Sequence, residues 1–400
     1  MNFTTAREHL KNVLLPTPLM YSPIFSEESG NNIYIKPENL QKTGAFKIRG
    51  AYNKMLKLTE AEKQRGVIAS SAGNHAQGVA YAARELGIKA VIVMPKTTPL
   101  IKVQSTKKYG AEVVLYGDVY DDAYQKAKEL EEKEGYVFVH PFNDEDVLDG
   151  QGTIALEILE ELPETDIILV PIGGGGLISG IACAAKILKP EIKIIGVEPE
   201  GAASAYESIK ENKVVELKEA NTIADGTAVK KIGDLNFEYI KKYVDEIITV
   251  SDYELMEAFL LLVEKHKIIA ENSGILSIAA TKKLKEKNKK VVSVISGGNI
   301  DVLMISSMIN KGLIRRDRIF NFTVSIPDKP GELAKVVDLI AEQGANVIKL
   351  EHNQFKNLSR FKDIELQITV ETNGSEHVQN LTQAFEEKGY EIVRIKSKIN

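Results

Sequence analysis

The four consecutive glycines Gly173, Gly174, Gly175 and Gly176 are the first chemical signal in the sequence. They follow an apolar segment of strand length and precede an apolar segment of helical length that begins at Leu177. Without Cβ atoms, successive backbone N–H groups can point at one anion, and the dipole of the following helix adds to the attraction. The run therefore predicts a phosphate-binding loop. A tight strand-to-helix turn is the structural alternative, although one or two glycines usually serve such a turn.

The glycine run does not by itself identify the phosphate compound. Gly174, Gly176 and Gly180 form a loose dinucleotide pattern, and Glu198 ends the next predicted strand, where a dinucleotide fold places its ribose-binding acid. A nicotinamide-dependent oxidoreductase is therefore one candidate function. A Walker-type nucleotide loop is excluded, because no Gly-Lys-Ser/Thr follows the run.

Lys47 is the second chemical signal. It stands between Phe46 and Ile48, ahead of a segment of helical pattern. A lysine in apolar surroundings loses part of its preference for the charged form and can act as a nucleophile, a base or a Schiff-base partner. Most lysines are solvated surface charges, so composition alone gives Lys47 little weight.

Alternating strand and helix patterns must position these residues. Between residues 66 and 305, short β-branched runs alternate with amphipathic segments of helical length. The predicted strands are 66–70, 90–94, 112–116, 167–172, 192–197 and 291–295, and the predicted helices include 74–86, 120–133 and 177–188. This order predicts an α/β fold with a mostly parallel sheet and ligands at the carboxyl ends of the strands.

The pattern changes after the charged segment 311–318, which we interpret as a linker or domain edge. The segments that follow are a strand 319–326, a helix 332–343, strands 346–353 and 364–370, a helix 376–388 and a strand 390–396. This order is the ferredoxin-like βαββαβ plan. We expect a catalytic region at 1–313, with a smaller lobe at roughly 41–145 and a larger lobe in the remainder, and a regulatory domain at 319–400.

Composition excludes several classes of protein. The formal net charge is −5 with both signs interspersed, which argues against a nucleic-acid-binding protein with a broad basic face. A single cysteine, Cys183, excludes an intrachain disulfide and a cysteine-based zinc site. The opening residues lack a secretory core, and no run approaches the length of a membrane span. We therefore expect a cytoplasmic protein without a membrane partner.

Four motifs in order resemble the threonine dehydratase family of pyridoxal-phosphate enzymes, which has the tryptophan-synthase-β fold type with two lobes. They are the segments 43–51, 70–78, 173–176 and 296–299, and the resemblance covers roughly residues 5–310. It implies that Lys47 binds pyridoxal 5'-phosphate covalently. The other cofactor-binding residues that it implies are Phe46 and Gly226 beside the ring, Asn74 on the phenolic oxygen, Gly173 to Gly176 with Leu177 on the phosphate, and Ser296 at the pyridine nitrogen. For Asn74, a helix N-cap is a compatible structural alternative.

The resemblance also implies the reaction. The amine of Lys47 removes the Cα proton, the β-hydroxyl leaves as water, and threonine gives 2-oxobutanoate and ammonia, while serine gives pyruvate. A serine at the pyridine nitrogen makes the ring a weaker electron sink than an aspartate would, which favours β-elimination. The candidates for the substrate carboxylate are Ser70, Ser71, Gly73 and His75, although His75 is equally well interpreted as a packed loop histidine.

Departures from the related serine racemases leave alternatives open. Ala72 stands where those enzymes carry a serine acid/base, which makes a serine dehydratase or racemase the minor alternative. Their divalent-metal site resembles the region of Glu198, but Ser204 stands where an acidic ligand is expected. A metal at Glu198 is thus a weak expectation. The segment 271–274 reads Glu-Asn-Ser-Gly where many dehydratases have Glu-Gly-Ala-Gly.

The C-terminal segment Asp-Lys-Pro-Gly-Glu-Leu at 328–333 resembles the ACT domain, an amino-acid-binding regulatory unit. The resemblance implies an effector, isoleucine first and valine second, near Pro330, Gly331, Leu333 and Asn346. A dimerisation module without a ligand is the alternative for this domain, and a non-catalytic amino-acid sensor is a third candidate function for the chain. We expect a homo-oligomer, either a dimer or a tetramer.

Overall fold

The computed structural model describes residues 1–353 and 363–395. The chain forms two compact units, Met1–Ile300 and Asp301–Asn400. The division precedes the predicted one because the charged segment 311–318 is largely helical. Helix Val302–Arg315 begins where the Asp301 side chain accepts a hydrogen bond from the Leu303 backbone N–H, and it runs through Lys311. Residues 311–315 are therefore helical and do not form a linker, whereas the predicted domain bounds stay a prediction.

The strands of the first unit build two sheets. They are β1 Met20–Tyr21, β2 Asn32–Pro37, β3 Val67–Ser70, β4 Ala90–Met94, β5 Glu112–Leu115, β6 Val137–Phe138, β7 Ile167–Pro171, β8 Lys193–Pro199, β9 Glu246–Val250 and β10 Lys290–Ile295. The six-stranded sheet has the order β1-β2-β10-β7-β8-β9 and is parallel except for β1, whereas the four-stranded sheet β5-β4-β3-β6 is parallel throughout. The predicted parallel α/β fold is confirmed.

The α-helices of the first unit cover these sheets. They are α1 Phe3–Leu10, α2 Pro23–Ser29, α3 Lys47–Leu56, α4 Glu60–Arg65, α5 Asn74–Leu86, α6 Leu100–Lys108, α7 Tyr120–Glu134, α8 Glu145–Glu161, α9 Gly176–Leu188, α10 Ser204–Glu211, α11 Asp234–Tyr243, α12 Asp252–Leu261 and α13 Leu276–Ala279. Central strands such as β4 and β7 are buried at every position, as expected where helices cover both faces. Cys183 lies buried in this core, on α9.

Parallel strands bring their carboxyl ends to one edge of each sheet, and the loops at those edges carry the predicted site residues. The loop 71–73 follows β3, the loop 172–175 follows β7, and the loop 296–300 follows β10. A fourth loop, 139–144, joins β6 to α8.

The second unit is antiparallel. Its elements are α14 Val302–Arg315, β11 Ile319–Pro327, α15 Glu332–Glu342, β12 Asn346–Asn353, β13 Asp363–Glu371, α16 Ser375–Glu387 and β14 Ile392–Arg394, with the sheet order β12-β13-β11-β14. Phe322, Leu366 and Phe385 lie in its core. The predicted βαββαβ order is confirmed; the predicted end of the last strand, Lys396, lies outside the described residues. No helix within residues 1–353 and 363–395 is long and apolar enough to cross a membrane.

Candidate active site

Lys47 opens helix α3, directly after the buried residue Phe46. Its Nζ donates a hydrogen bond to the Pro141 carbonyl oxygen at 2.8 Å and lies 5.1 Å from the centroid of the Phe46 ring. Burial lowers the pKa of Lys47 from 10.5 to about 8, although the charge of Glu271 acts in the opposite direction. A lysine of this kind has a much larger neutral fraction near neutral pH than an exposed lysine and can act as a nucleophile or a base.

Asn74 is the first residue of helix α5, and Gly73, which has no side chain, occupies the N-cap position. The N-cap interpretation of Asn74 was therefore wrong. The Asn74 side chain instead joins distant segments: Nδ2 donates to Glu271 Oε1 at 2.6 Å, and Oδ1 accepts from Asn299 Nδ2 at 2.7 Å. Two of the predicted motifs, 70–78 and 296–299, thus meet through this amide.

Glu271 is buried and faces the same region. Burial raises the pKa of its carboxyl group from 4.5 to about 7, the negative charge of Asp225 adds to this effect, and the hydrogen bond from Asn74 and the charges of Lys102 and Lys47 oppose it. A Cβ atom at Gly297 would lie 2.2 Å from Glu271 Oε1. Only a glycine at position 297 leaves room for the carboxylate.

Ser296 lies at the end of β10, and its backbone carbonyl accepts a hydrogen bond from the Phe46 backbone N–H at 3.1 Å. A bridge between Ala45 and Gly297 continues this contact. The structure therefore brings Ser296 beside the segment that carries Lys47, although 249 positions separate them in the sequence.

The glycine loop is closely packed on one side. A Cβ atom at Gly174 would lie 2.3 Å from the Phe142 ring, and Gly175 has a φ of +93°, which favours glycine. Asn236 Nδ2 donates to the carbonyl oxygens of Gly174 at 2.7 Å and Phe142 at 3.1 Å. Among the described residues, no acceptor pairs with the backbone N–H groups of Gly173 to Leu177. The loop thus offers free donors at the N-terminus of the 13-residue helix α9.

Gly226 lies beside this loop. A Cβ atom at Gly173 would meet the Thr227 Cα at 3.2 Å and the Gly226 carbonyl oxygen at 3.4 Å. A Cβ atom at Gly226 would in turn lie 4.0 Å from Glu271 Oε1. The segment around Gly226 therefore spans the space between the glycine loop and Glu271.

The segment 139–143, which we call the shelf, contacts Lys47 and His75 on one side and the glycine loop on the other, and it is absent from the sequence-based predictions. The Val139 carbonyl oxygen is 2.8 Å from His75 Nε2, and the Pro141 carbonyl accepts from Lys47. The Phe142 ring packs under the glycine loop, and Asn143 Oδ1 accepts from the Leu235 N–H at 3.1 Å. The shelf follows the parallel strand β6, and ligand-binding loops lie at the carboxyl ends of such strands. That position is the signal from which the sequence could have predicted it.

The four candidates for a substrate carboxylate lie between the last residue of β3, Ser70, and the first turn of helix α5. Ser70 is buried, and its Oγ has no hydrogen-bond partner; Ser71 Oγ accepts from the Gly73 N–H at 3.2 Å. His75 bonds the shelf, and burial, with the charge of Lys47, lowers its pKa to about 3. His75 is therefore neutral, and its Nε2 is occupied by a carbonyl oxygen.

The carboxylate of Glu198 binds backbone N–H groups. Its carboxylate is fully buried and accepts the backbone N–H groups of Ala205 at 2.8 Å and Tyr206 at 2.7 Å, at the start of helix α10. Burial raises its pKa to about 8. The part of the chain that the structure describes contains no group of three His, Cys, Asp or Glu side chains suited to a metal ion. The weak expectation of a metal at Glu198 stays a prediction, while the hydrogen bonds show that this carboxylate caps the start of helix α10.

The candidate effector residues all belong to the second unit. Pro330 and Gly331 form the turn between β11 and α15, and Gly331 has a φ of +92°. Leu333 is half-buried in α15, and Asn346 is exposed at the start of β12. The turn and the strand start predicted from sequence are thus present, and their role in binding stays a prediction.

Comparisons with known proteins agree with this geometry. Residues 10–297 match the family model described as "Pyridoxal-phosphate dependent enzyme". The chain is 48% identical over 388 residues to an L-threonine ammonia-lyase of Thermotoga maritima, with 97% of each chain covered. Among solved structures, the processed form of threonine deaminase isoform 2 from Solanum lycopersicum is similar, with a TM-score of 0.74, 39% identity, and coverage of 77% of this chain and 92% of that one. Maize serine racemase also has a TM-score of 0.74, with 36% identity and coverage of 79% and 98%.

Proposed function

Because the chain belongs to the pyridoxal-phosphate-dependent enzyme family, we propose that it deaminates L-threonine to 2-oxobutanoate and ammonia by β-elimination of water, and L-serine to pyruvate as a second reaction. The observation that carries the proposal is the placement of Lys47, with its lowered pKa, beside the shelf whose Phe142 packs under a glycine loop with free N–H donors. A covalent lysine and a phosphate cradle are the two attachments that this cofactor requires.

The residues present fit the cofactor. The glycine loop has unpaired donors and no space for a Cβ at Gly174, and the neutral fraction of Lys47 suits a covalent bond to an aldehyde. When bound, pyridoxal phosphate supplies an electron sink for negative charge at the substrate Cα. The residues that we propose to hold it are Lys47, Phe46, Asn74, Gly173 to Gly176 with Leu177, Gly226 and Ser296.

Lys47 is the proposed general base. A base acts best when its pKa lies near the working pH, and the lowered pKa of about 8 brings this amine into that range. The Pro141 carbonyl fixes the position of Nζ through a bond of 2.8 Å. Removal of the Cα proton and loss of the β-hydroxyl then yield the enamine precursor of the 2-oxo acid.

The start of helix α5 is the proposed site for the substrate carboxylate. The backbone N–H groups of Asn74 and His75 have no acceptor among the described residues, and the buried Ser70 Oγ is unpaired. Ser71 and Gly73 complete the loop. Free N–H groups and hydroxyls at the N-terminus of a 13-residue helix are suited to a carboxylate.

Racemisation is the minor alternative. The structural similarity to maize serine racemase favours it, whereas Ala72 stands where the resemblance places a serine acid/base, and a methyl side chain cannot move a proton. The two other candidate functions are a nicotinamide-dependent oxidoreductase and a non-catalytic sensor. Neither needs a buried lysine with a lowered pKa, so the surroundings of Lys47 do not favour them.

The second unit extends the proposal. We propose that isoleucine, or valine, binds near Pro330, Gly331, Leu333 and Asn346 and changes the activity of a cytoplasmic homo-oligomer. The βαββαβ order and the turn at Gly331 support this assignment. Regulation of this kind requires that the effector bind two enzyme states with different affinities.

Steady-state release of ammonia and 2-oxo acid from L-threonine and L-serine tests the proposal, with isoleucine and valine titrated and D-serine measured in parallel. We expect 2-oxobutanoate and ammonia in equal amounts, loss of both in Lys47→Ala, and altered threonine kinetics with the effector. Formation of D-serine faster than pyruvate would favour the racemase. Tight NADH binding without a visible chromophore would reject the proposal.

A further inference from the structure

A directional hydrogen-bond chain runs through the candidate site. Asn299 Nδ2 donates to the Thr43 carbonyl oxygen at 2.6 Å and to Asn74 Oδ1 at 2.7 Å. A carbonyl oxygen only accepts, so Asn299 must present its nitrogen to Thr43. Both hydrogens of this amide are then used, and its orientation is fixed.

The orientation of Asn74 follows from that of Asn299. Since Asn74 Oδ1 accepts from Asn299, Asn74 Nδ2 must face Glu271, whose Oε1 accepts at 2.6 Å. One hydrogen of Asn74 Nδ2 stays available, and the amide can offer a ligand only a donor. Because Oε1 accepts this bond, a proton on Glu271 resides on Oε2.

From this chain, and resting on the proposed function, we infer that Glu271 and Asn299 are positioning residues of the reaction: together they fix Asn74 as an N–H donor toward the cofactor ring, and the charge of Glu271 sets how strongly that N–H donates. A carboxylate that accepts one amide hydrogen returns electron density to the nitrogen and weakens the other N–H as a donor. The neutral carboxylic acid does so less. Protonation of Glu271 thus strengthens the donor that Asn74 presents.

The surroundings of Glu271 raise the pKa of its carboxyl group toward neutral pH. The groups that face Glu271 are Lys47 of α3, Lys102 of α6 and Asp225, in addition to Asn74. Lys102 bonds Asp225 Oδ2 at 3.0 Å, so these two opposite charges largely offset each other. Burial then dominates and raises the pKa of Glu271 to about 7.

The visible spectrum of the holoenzyme tests the inference independently of turnover. The enzyme loaded with pyridoxal phosphate is titrated as wild type, Glu271→Gln, Asn299→Ala and Glu198→Gln. The titration runs between about pH 5.5 and 9, a range that brackets the raised pKa of Glu271 of about 7. We expect a change in the visible band of the wild type with a midpoint of about 7, and its absence in Glu271→Gln.

Glu198→Gln is the matched control, because Glu198 is also fully buried with a raised pKa but caps helix α10. It should keep the spectral midpoint of the wild type. For Glu271→Gln we further expect kcat for threonine to lose the pH dependence that centres on about 7, with KM changed less than about threefold, since the variant fixes the strength of the Asn74 donor and leaves substrate binding unchanged.

Persistence of the midpoint in Glu271→Gln, or its absence from the wild type, would overturn the inference. If circular dichroism shows that Glu271→Gln is unfolded, Asn299→Ala decides: freeing the Asn74 amide must shift the visible band, and an unshifted band also overturns the inference. A holoenzyme with the expected titration but no threonine turnover would refute the proposed function instead, so the two failures are distinguishable.

Discussion

Helix α3 carries two buried cations two residues apart, Lys47 and Arg49. Arg49 is paired with carboxylates, whereas Lys47 bonds a neutral carbonyl oxygen. Arg49 is fully buried and donates from Nε to Glu38 Oε2 at 2.7 Å and from Nη2 to Glu38 Oε1 at 2.8 Å. It also donates to Glu157, which accepts from Lys36 Nζ at 2.6 Å as well. Lys47 donates only to a carbonyl oxygen, that of Pro141, among the bonds in the described residues.

The pKa values of these groups follow from this difference in pairing. Burial acts to lower the pKa of Arg49, but the charges and hydrogen bonds of Glu38 and Glu157 raise it above its ordinary value. Burial likewise acts to raise the pKa of Glu157, and Arg49 and Lys36 keep it well below its ordinary 4.5. For Lys47 no bonded carboxylate opposes burial, and the pKa falls to about 8. A buried cation that is paired keeps its charge, and removing it leaves a buried carboxylate unpaired, whereas an unpaired buried cation becomes reactive.

Replacing both cations by the same apolar residue tests the comparison, and Lys47→Met should give the larger effect on activity. We expect kcat/KM for threonine to fall about 10⁴-fold, the upper end for loss of a general base. The free energy of unfolding of the cofactor-free protein should change by less than about 1 kcal/mol, because no ion pair is broken. Coupled assays and urea denaturation measure the two quantities, and a large loss of stability would contradict the distinction.

Arg49→Met should show the reverse pattern. Removing the guanidinium leaves Glu38, whose side chain is 0% exposed, without its charged partner, although the Thr17 hydroxyl still donates to it. Breaking such a pair costs about 3–5 kcal/mol, and we expect this loss in urea denaturation. Arg49→Lys should recover part of it, since an ammonium restores the charge but not the two-point bond. Unchanged stability in Arg49→Met would show that the cluster does not stabilise the fold.

A smaller effect is expected from Glu157→Gln, because 28% of this side chain is exposed. We expect a loss of about 1–3 kcal/mol at pH 7. The folded-state pKa of Glu157 is depressed, so its contribution is present above the ordinary value of 4.5 and is lost as the pH falls toward the folded pKa. The difference between wild type and variant should therefore shrink below pH 4.5. A difference independent of pH would contradict the assigned pairing.

The smallest expected effect is a shift in the pH dependence of Lys47. The neutral amine is the reactive form, so the rate at which the apoenzyme recombines with pyridoxal phosphate should rise with pH and level off above about 8. Glu271 raises the pKa of Lys47, so Glu271→Gln should move this midpoint to lower pH. Stopped-flow absorbance measures the rate, and a rise that continues to the ordinary value of 10.5 would show that burial does not act on Lys47.

Much of the fold was predictable because its signals are local. The predicted strand 90–94 and helix 74–86 match β4 and α5 at both ends, since turn residues bound them. The segment 311–318 has the charged composition of a linker, and nothing local in the sequence reveals that its first five residues are helical. Gly312 is buried there and Leu313 is half-buried, so part of the segment belongs to a packed helix.

The sequence by itself determined the parts of the site whose chemistry resides in residue type and local order: a lysine between apolar neighbours and four glycines before a helix. Only the tertiary structure decided which groups control them. Glu271, Asn299 and the shelf lie in segments far from Lys47 in the sequence, and an isolated Glu or Asn in a sequence carries no sign of its burial or its partner. A pKa depends on desolvation and on the charges within a few ångströms, and those distances exist only once the two sheets have folded.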